Sequence, residues 1–444
     1  MRYLGLYPAV LVSSLCLLTF EVQAQSPSTF YVRAGASGVG TGTDWNNAYP
    51  SLPAALQRGA TYYIADGTYS SYTFDDAASS STLITIKKAT AADHGTDTGW
   101  ASSYGDGYWT ENTTPVNGGG VSFGSLQFTT GYWTLDGNTN TVGRYGIQVR
   151  PATSNMGSTL WMRYHQSTFN FYDITINNGS AYCTGDSACV QGFGGDVAGP
   201  MLVSNMEIWN SIQDPLGVSN CNNCTYEYMY IHNRVGGYGV HGDGFYTFQD
   251  RGTQTLRYSR IDWDGQQLWF GGYDTAHSHG CWYIYGNVFY GGGTSGQAIR
   301  SHSSGRPINC LYLYNNTIAN QNTASINVSG PVSQGGSYNN VFFSVPAPGF
   351  FGRPHDYNWF QSGLSTSGEA HAQSGTNPFA NSANDDFRLL GPTAAGSALS
   401  APYNTDPGGR TRGADGVWDR GAFEFTGGTT ETVPAPPTNV RILR

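Results

Sequence analysis

Charge is scarce in this chain, and lysine is scarcest of all. Only 11% of its 444 residues are charged, and its two lysines are adjacent, Lys87 and Lys88. With a formal net charge of −9 there is no basic surface to hold nucleic acid, so that class of partner is excluded. Any cation needed elsewhere must come from arginine or histidine. Long apolar runs are missing too. After the first stretch, from about Leu4 to Phe20, no segment reaches the length of a membrane-spanning helix. That first stretch follows Arg2 and leads into Val22-Gln23-Ala24, the three-part pattern of a secretory leader cleaved after Ala24. Removing residues 1–24 takes away Arg2 and Glu21 and leaves the net charge at −9. The expected mature protein is exported, secreted or cell-surface, monomeric and without an integral membrane segment.

Helical periodicity is the third absence, and what replaces it is glycine (60) and tyrosine (30), the composition of a turn-rich all-β protein. Six cysteines remain after processing, an even number that suits an oxidising compartment. Cys221 and Cys224 form a C-x-x-C pair with no matching second pair, which favours a structural bridge over a metal site.

From residue 169 onward one short strand recurs, often with Asn, as in "SNMEIWN", "EYMYIHN", "YGNVFYG" and "YNNTIAN". Alignment puts Ile176, Ile208, Ile231, Ile261, Phe289, Ile318 and Phe342 in one column, with steps of 32, 23, 30, 28, 29 and 24 residues. Strands and Gly/Asn turns at that period predict a parallel β-solenoid, in which stacked coils bury what no single coil can. The unequal steps predict loops of unequal length that build a cleft on one side.

A second column follows from Gly242, Gly265 and Gly296, each three residues before an apolar anchor: Phe245, Leu268 and Ile299. Glycine there is expected to supply a positive φ at a repeated bend. Cys281 and Cys310 each lie eight residues before the first column, at Phe289 and Ile318. Adjacent strands are about 4.8 Å apart, so a Cys281–Cys310 bridge is predicted, with Cys183–Cys189 as a local clasp.

"GATYYIADGTYSSYTF" with "TLITIKKAT" near the start, and "HDYNWF", "DDFRLLGPTAAGSAL" and "DRGAFEF" near the end, resemble right-handed parallel β-helix proteins of the pectate lyase superfamily. The resemblance covers most of residues 28–425. It implies an all-β, right-handed parallel β-helix in a single domain, 25–425; the linker composition of 426–444 is read separately as a flexible tail or the stub of a tether to the cell surface. It does not select among the polysaccharide lyases, glycoside hydrolases, epimerases and surface proteins of that superfamily. Lys87 and Lys88 lie in the strand "ITIKKAT" and are read as structural.

The second column also gathers chemistry on one face. The position after the anchor holds Tyr246, Trp269, Arg300 and Asn327; two further on stand Phe248, Gly271, His302 and Ser329. Two before it lie Asp243, Gln266 and Gln297, and just before the bend glycine stand His241, Asp264 and Ser295. Groups one or two coils apart lie about 5 to 10 Å apart, the span over which a sugar ring is gripped.

The expected catalytic residues are His241, Asp243, Asp264, Arg300 and His302, with Tyr246, Trp269, Gln267 and Asn327 binding a polysaccharide. β-Elimination on an acidic, uronate-containing glycan needs a cation on the carboxylate, a base and an acid. Arg300, or a calcium ion held by Asp243 and Asp264, supplies the first; His241 or His302 the second; Tyr246 the third. Hydrolysis needs two carboxylates, and Asp243 with Asp264 are the best pair. The third reading is a non-catalytic carbohydrate-binding or adhesion surface. Each residue also has a plain structural role open to it, in turns, wall packing or ion pairs. Nearby "YDTAHSHG", with Asp274, His277 and His279, is read as a loop bordering the cleft in preference to a zinc site, because no third firm ligand follows from spacing.

Overall fold

The computed structural model describes residues 28–151, 159–162, 168–177, 193–211, 214–234, 242–272, 275–291, 296–425 and 427. The leader, the Cys183–Cys189 clasp and the tail beyond Phe425, apart from Gly427, lie outside the described residues. Among those described there is no α-helix, and no helix is long and apolar enough to cross a membrane.

The chain is a parallel β-helix. Among the described residues nine short strands, from Tyr72–Phe74 to Ile326–Asn327, stack in parallel as one face. A second sheet wraps the other two sides. The coil that begins with Asp243–Phe248 continues through Arg251–Arg257 on the second face and Arg260–Asp262 on the third. It returns to the first face at Gln266–Gly271.

The register is the one the repeat predicts. Ile176 pairs with Ile208, and the ladder continues through Ile231, Ile261, Phe289 and Ile318 to Phe342. All seven are essentially buried, each removed from water at a gain of about 1.5–3 kcal/mol for a side chain of this size. The inward stripe works because every coil caps its neighbours and no coil closes a core alone.

Where the second face turns into the third, one residue takes a left-handed conformation, as at Asn315 (φ 53°) and Asn339 (φ 59°). The asparagines just after it form a buried ladder. Nδ2 of Asn287 donates to Asn316 Oδ1, Asn316 to Asn340 and Asn340 to Asn358, each at 3.0 Å. A second bond from each amide to a strand carbonyl locks the corner of one coil to the next. The frequent Asn of the sequence repeat has this physical origin.

The Cys281–Cys310 bridge joins neighbouring coils at a Cα separation of 4.3 Å, and Cys221–Cys224 closes a local loop. Lys88 is buried, with an ion pair to Asp66 at 2.7 Å and bonds to the Ala89 and Gly105 carbonyls, while Lys87 pairs with Asp93. Both lysines hold the first coils together.

The bend glycines have a different cause from the one expected. Neither Gly242 nor Gly265 has a positive φ. A Cβ on Gly265 would sit 1.9 Å from the Gly242 carbonyl oxygen, so glycine is required there for close stacking of backbone on backbone.

Candidate functional site

The first-face strands Asp243–Phe248, Gln266–Gly271, Gln297–Ser301 and Ile326–Asn327 bring the outward column together. Tyr246 lies beside Trp269, Trp269 beside Arg300 and Arg300 beside Asn327. The first three side chains are half-buried and Asn327 is exposed. The Tyr246 and Trp269 rings are tilted with centroids 5.1 Å apart, and His302 lies 6.1 Å from Trp269. His302 stands just past its strand. Ser304 pins it, with Oγ 2.9 Å from Nδ1, while the Ser304 hydroxyl donates to the Gly272 carbonyl at 2.7 Å.

Beneath this wall runs a polar relay. Gln266, with its amide oriented to satisfy both neighbours, donates Nε2 to Asp243 Oδ1 at 2.6 Å and accepts from Arg300 Nη1 at 2.7 Å. Asp243 is buried, and its backbone N–H donates to Asp214 Oδ1 at 3.0 Å. Burial, and next the carboxyl of Asp214, push the Asp243 pKa well above the usual carboxylate range; Arg300 and Arg234 oppose that shift without reversing it. The balance of these effects disfavours the ionised form of Asp243. Arg234 forms an ion pair with Asp264 at 3.0 Å. A Cβ on Gly242 would lie 2.3 Å from that guanidinium, so the glycine before Asp243 makes room for Arg234.

Gln267 requires a correction. It shares the alternation parity of Trp269 and was expected on the sugar-facing side. It is instead fully buried, its amide donating to the carbonyls of Trp263, Tyr290 and Gly291 and its oxygen accepting from Gln321. The chain is still rounding the corner from the third face at that point, and strict alternation begins only at the anchor Leu268. Gln266, its neighbour, makes the contacts to Asp243 and Arg300.

The paired histidines also part company. His277 is exposed in a bend, whereas His279 is buried in the strand with Nδ1 2.5 Å from Asp250. The bend removes the extended geometry that would have pointed both the same way. His241 and Asp274 lie outside the described residues. Calcium takes six to eight oxygen ligands. Asp264 is engaged by Arg234, Asp243 is buried and bonded by Gln266, and no group of three or more His, Cys, Asp or Glu among the described residues could hold a metal ion. These two residues do not fit a calcium cage, and no step below passes through a metal.

Two members of the cluster were missed in the sequence although the repeat contained them. Asp214 stands two residues before Leu216, which pairs with Phe245, so it occupies the Asp243 position one coil earlier. Arg234 and Asp264 each follow the paired Ile231 and Ile261 by three residues, the same position in adjacent coils. Extending either column by one coil would have found them.

No family model matches the chain, and no curated protein matches it. A solved structure titled "Crystal structure of pectate lyase Pel9A" aligns with a TM-score of 0.47 and 14% identity, over 90% of this chain and 97% of that one.

Proposed function

We propose that this protein is an exported polysaccharide lyase that cleaves an acidic, uronate-containing glycan by β-elimination on the first face. The observation that carries the reading is the Asp243–Gln266–Arg300 relay. Arg300 reaches the Asp243 carboxyl through the Gln266 amide and not directly, and burial disfavours charge on that carboxyl, which supports a guanidinium that answers a carboxylate arriving from solution. Tyr246 and Trp269 offer ring faces to the C–H surface of the same sugar.

In this mechanism Arg300 pairs with the uronate carboxylate and acidifies the adjacent C–H. The imidazole of His302 removes that proton, a C=C bond forms, and the C–O bond to the leaving sugar breaks. The phenol of Tyr246 protonates the leaving oxygen, and solvent returns the proton from imidazolium to phenolate. Asn327 extends the binding surface one coil further. His241 is a second base within the same proposal. The two disulfides among the described residues agree with an oxidising, extracellular or periplasmic setting.

A hydrolase using Asp243 and Asp264 is less favoured, because one carboxyl is buried and the other is tied to Arg234. Purified protein incubated with uronate-containing and neutral polysaccharides separates the readings. A lyase yields an ultraviolet-absorbing unsaturated end. Reducing ends without that absorbance would identify a hydrolase, and retention on glycan resin with neither product would identify a binder.

A further inference from the structure

The phenol of Tyr246 does not stay above its own coil. A Cβ on Gly271 would lie 2.4 Å from Cε2 of Tyr246 and 2.9 Å from its hydroxyl oxygen. Gly271 belongs to the next coil, where it pairs with Phe248 in the ladder. The Tyr246 ring therefore leans across, with Phe248 at 6.2 Å and Trp269 at 5.1 Å, and carries its oxygen over the Gly271 backbone.

This lean accounts for the glycine. Unlike Gly272 (φ 133°), Gly271 has no positive φ, so its backbone conformation is open to residues with a side chain. What a side chain there would lack is room, because the Tyr246 ring occupies it.

The same lean brings acid and base together. Phe270 pairs with Ser301, and the His302 N–H donates to the Phe270 carbonyl at 2.9 Å, so His302 stands beside Gly271 one coil further on. The Tyr246 oxygen and the His302 imidazole thus overlie neighbouring coils, whose backbones are about 4.8 Å apart. Arg300, which answers the carboxylate, lies two residues before His302 on the same outward side. All three rise from one wall. A sugar resting on that wall meets cation, base and acid from a single side.

One-sided approach fixes the stereochemistry. The imidazole of His302 gains the C5 proton, the C–H electron pair becomes the C4=C5 bond, the C4–O pair stays with the leaving oxygen, and that oxygen takes the Tyr246 proton. The C5–H and C4–O bonds must then break on the same face of the ring, a syn elimination. In glucuronate and mannuronate the equatorial C4 oxygen and the C5 hydrogen share a face. In galacturonate and guluronate the axial C4 oxygen lies opposite the C5 hydrogen, and elimination calls for groups on both sides of the ring.

We propose that the first-face site acts on 4-linked glucuronate or mannuronate and rejects galacturonate and guluronate, with Gly271 as the positioning residue for the Tyr246 phenol. This rests on the lyase reading of the same site and narrows its substrate.

The test is the rate of unsaturated-product formation by the whole protein on polyglucuronate, polymannuronate, polygalacturonate and polyguluronate. At least one of the first two should be cleaved, and each of the last two should be slower by about a hundredfold or more. A smaller gap, or a reversed one, would overturn the proposal and leave the lyase reading standing. Absence of absorbing product from all four would overturn both. On the cleaved polymer, Gly271→Ala should lower kcat about a hundredfold with little change in KM, since it displaces the phenol and not the groups that bind sugar. Tyr246→Phe keeps the ring and its packing and should show the same loss, which carries the test if Gly271→Ala folds poorly. Combined, the two substitutions should cost little more than either alone. Losses that multiply would make Gly271 structural only, and full activity in Tyr246→Phe would take the phenol out of the chemistry; either result overturns the proposal.

Discussion

The backbone N–H of Asp243 donates to the Asp214 carboxylate at 3.0 Å, so two acids one coil apart are held together beneath the first face. Burial, and next the like charge of Asp214, push the Asp243 pKa up. Its folded pKa lies above its unfolded one, so the folded form binds the proton more tightly. Stability from this residue is present at low pH and declines as pH rises above about 4 toward the folded value. Asp243→Asn should remove that decline. Urea midpoints measured from about pH 4 to about pH 8 should fall less in the variant than in the wild type; parallel curves would contradict the assignment.

Arg300→Ala should reduce eliminative cleavage by about a hundredfold or more, since the charge answering the uronate is lost. Arg300→Lys should recover only part, because an ammonium that donates to the Gln266 oxygen cannot also present two parallel donors to the carboxylate. Initial rates of unsaturated product formation provide the check.

Trp269 lies between Tyr246 and Arg300 in the ladder and presents a half-buried ring. Trp269→Ala should raise KM about tenfold with a smaller effect on kcat, as expected for uniform binding of the sugar face. A loss confined to kcat would place Trp269 in the chemistry.

Asp250 is fully buried and accepts from Trp282 Nε1 at 2.7 Å, Thr247 Oγ1 at 2.9 Å and His279 Nδ1 at 2.5 Å. Burial alone would raise its pKa, but His279 and these donors hold it below the ordinary value. Its contribution is therefore complete above about pH 4 and is lost as the solution is acidified through the folded value. Asp250→Ala, which strips the partners of a buried network, should cost about 3–5 kcal/mol by chemical denaturation.

The Cys281–Cys310 bridge spans 29 residues and ties adjacent coils. Cys281→Ser with Cys310→Ser should lower stability by about 2–4 kcal/mol without altering the product formed. A change in product pattern would mean that the bridge also shapes the cleft.

What was legible in the chain was whatever depends on the distance between neighbouring coils. The Ile column, the Cys281–Cys310 pair and the order Tyr246, Trp269, Arg300, Asn327 all follow from a period and a phase, and each was readable before any coordinates. Asp214 and Arg234 obey the same rule and were legible in principle, one coil beyond where the columns were carried.

Corners followed a different rule. Gln267 was misplaced because alternation describes a flat strand, and the chain there is turning from one face to another. The bend glycines were correctly noticed but for the wrong cause, since clearance between stacked backbones is a relation between coils and leaves no local mark.

By itself, then, the sequence determined the stacking, because a repeat states which residues share a column and inter-strand spacing is the same in every parallel ladder. Only the tertiary structure decided where side chains point at the corners and what the long excursions bring back. Glu111 meets Arg260 across 149 residues, and the segment around Asp385 closes a groove beside them. No period in the chain encodes a contact of that kind, since it depends on how a loop and a C-terminal segment fold back over a wall that the coils have already built.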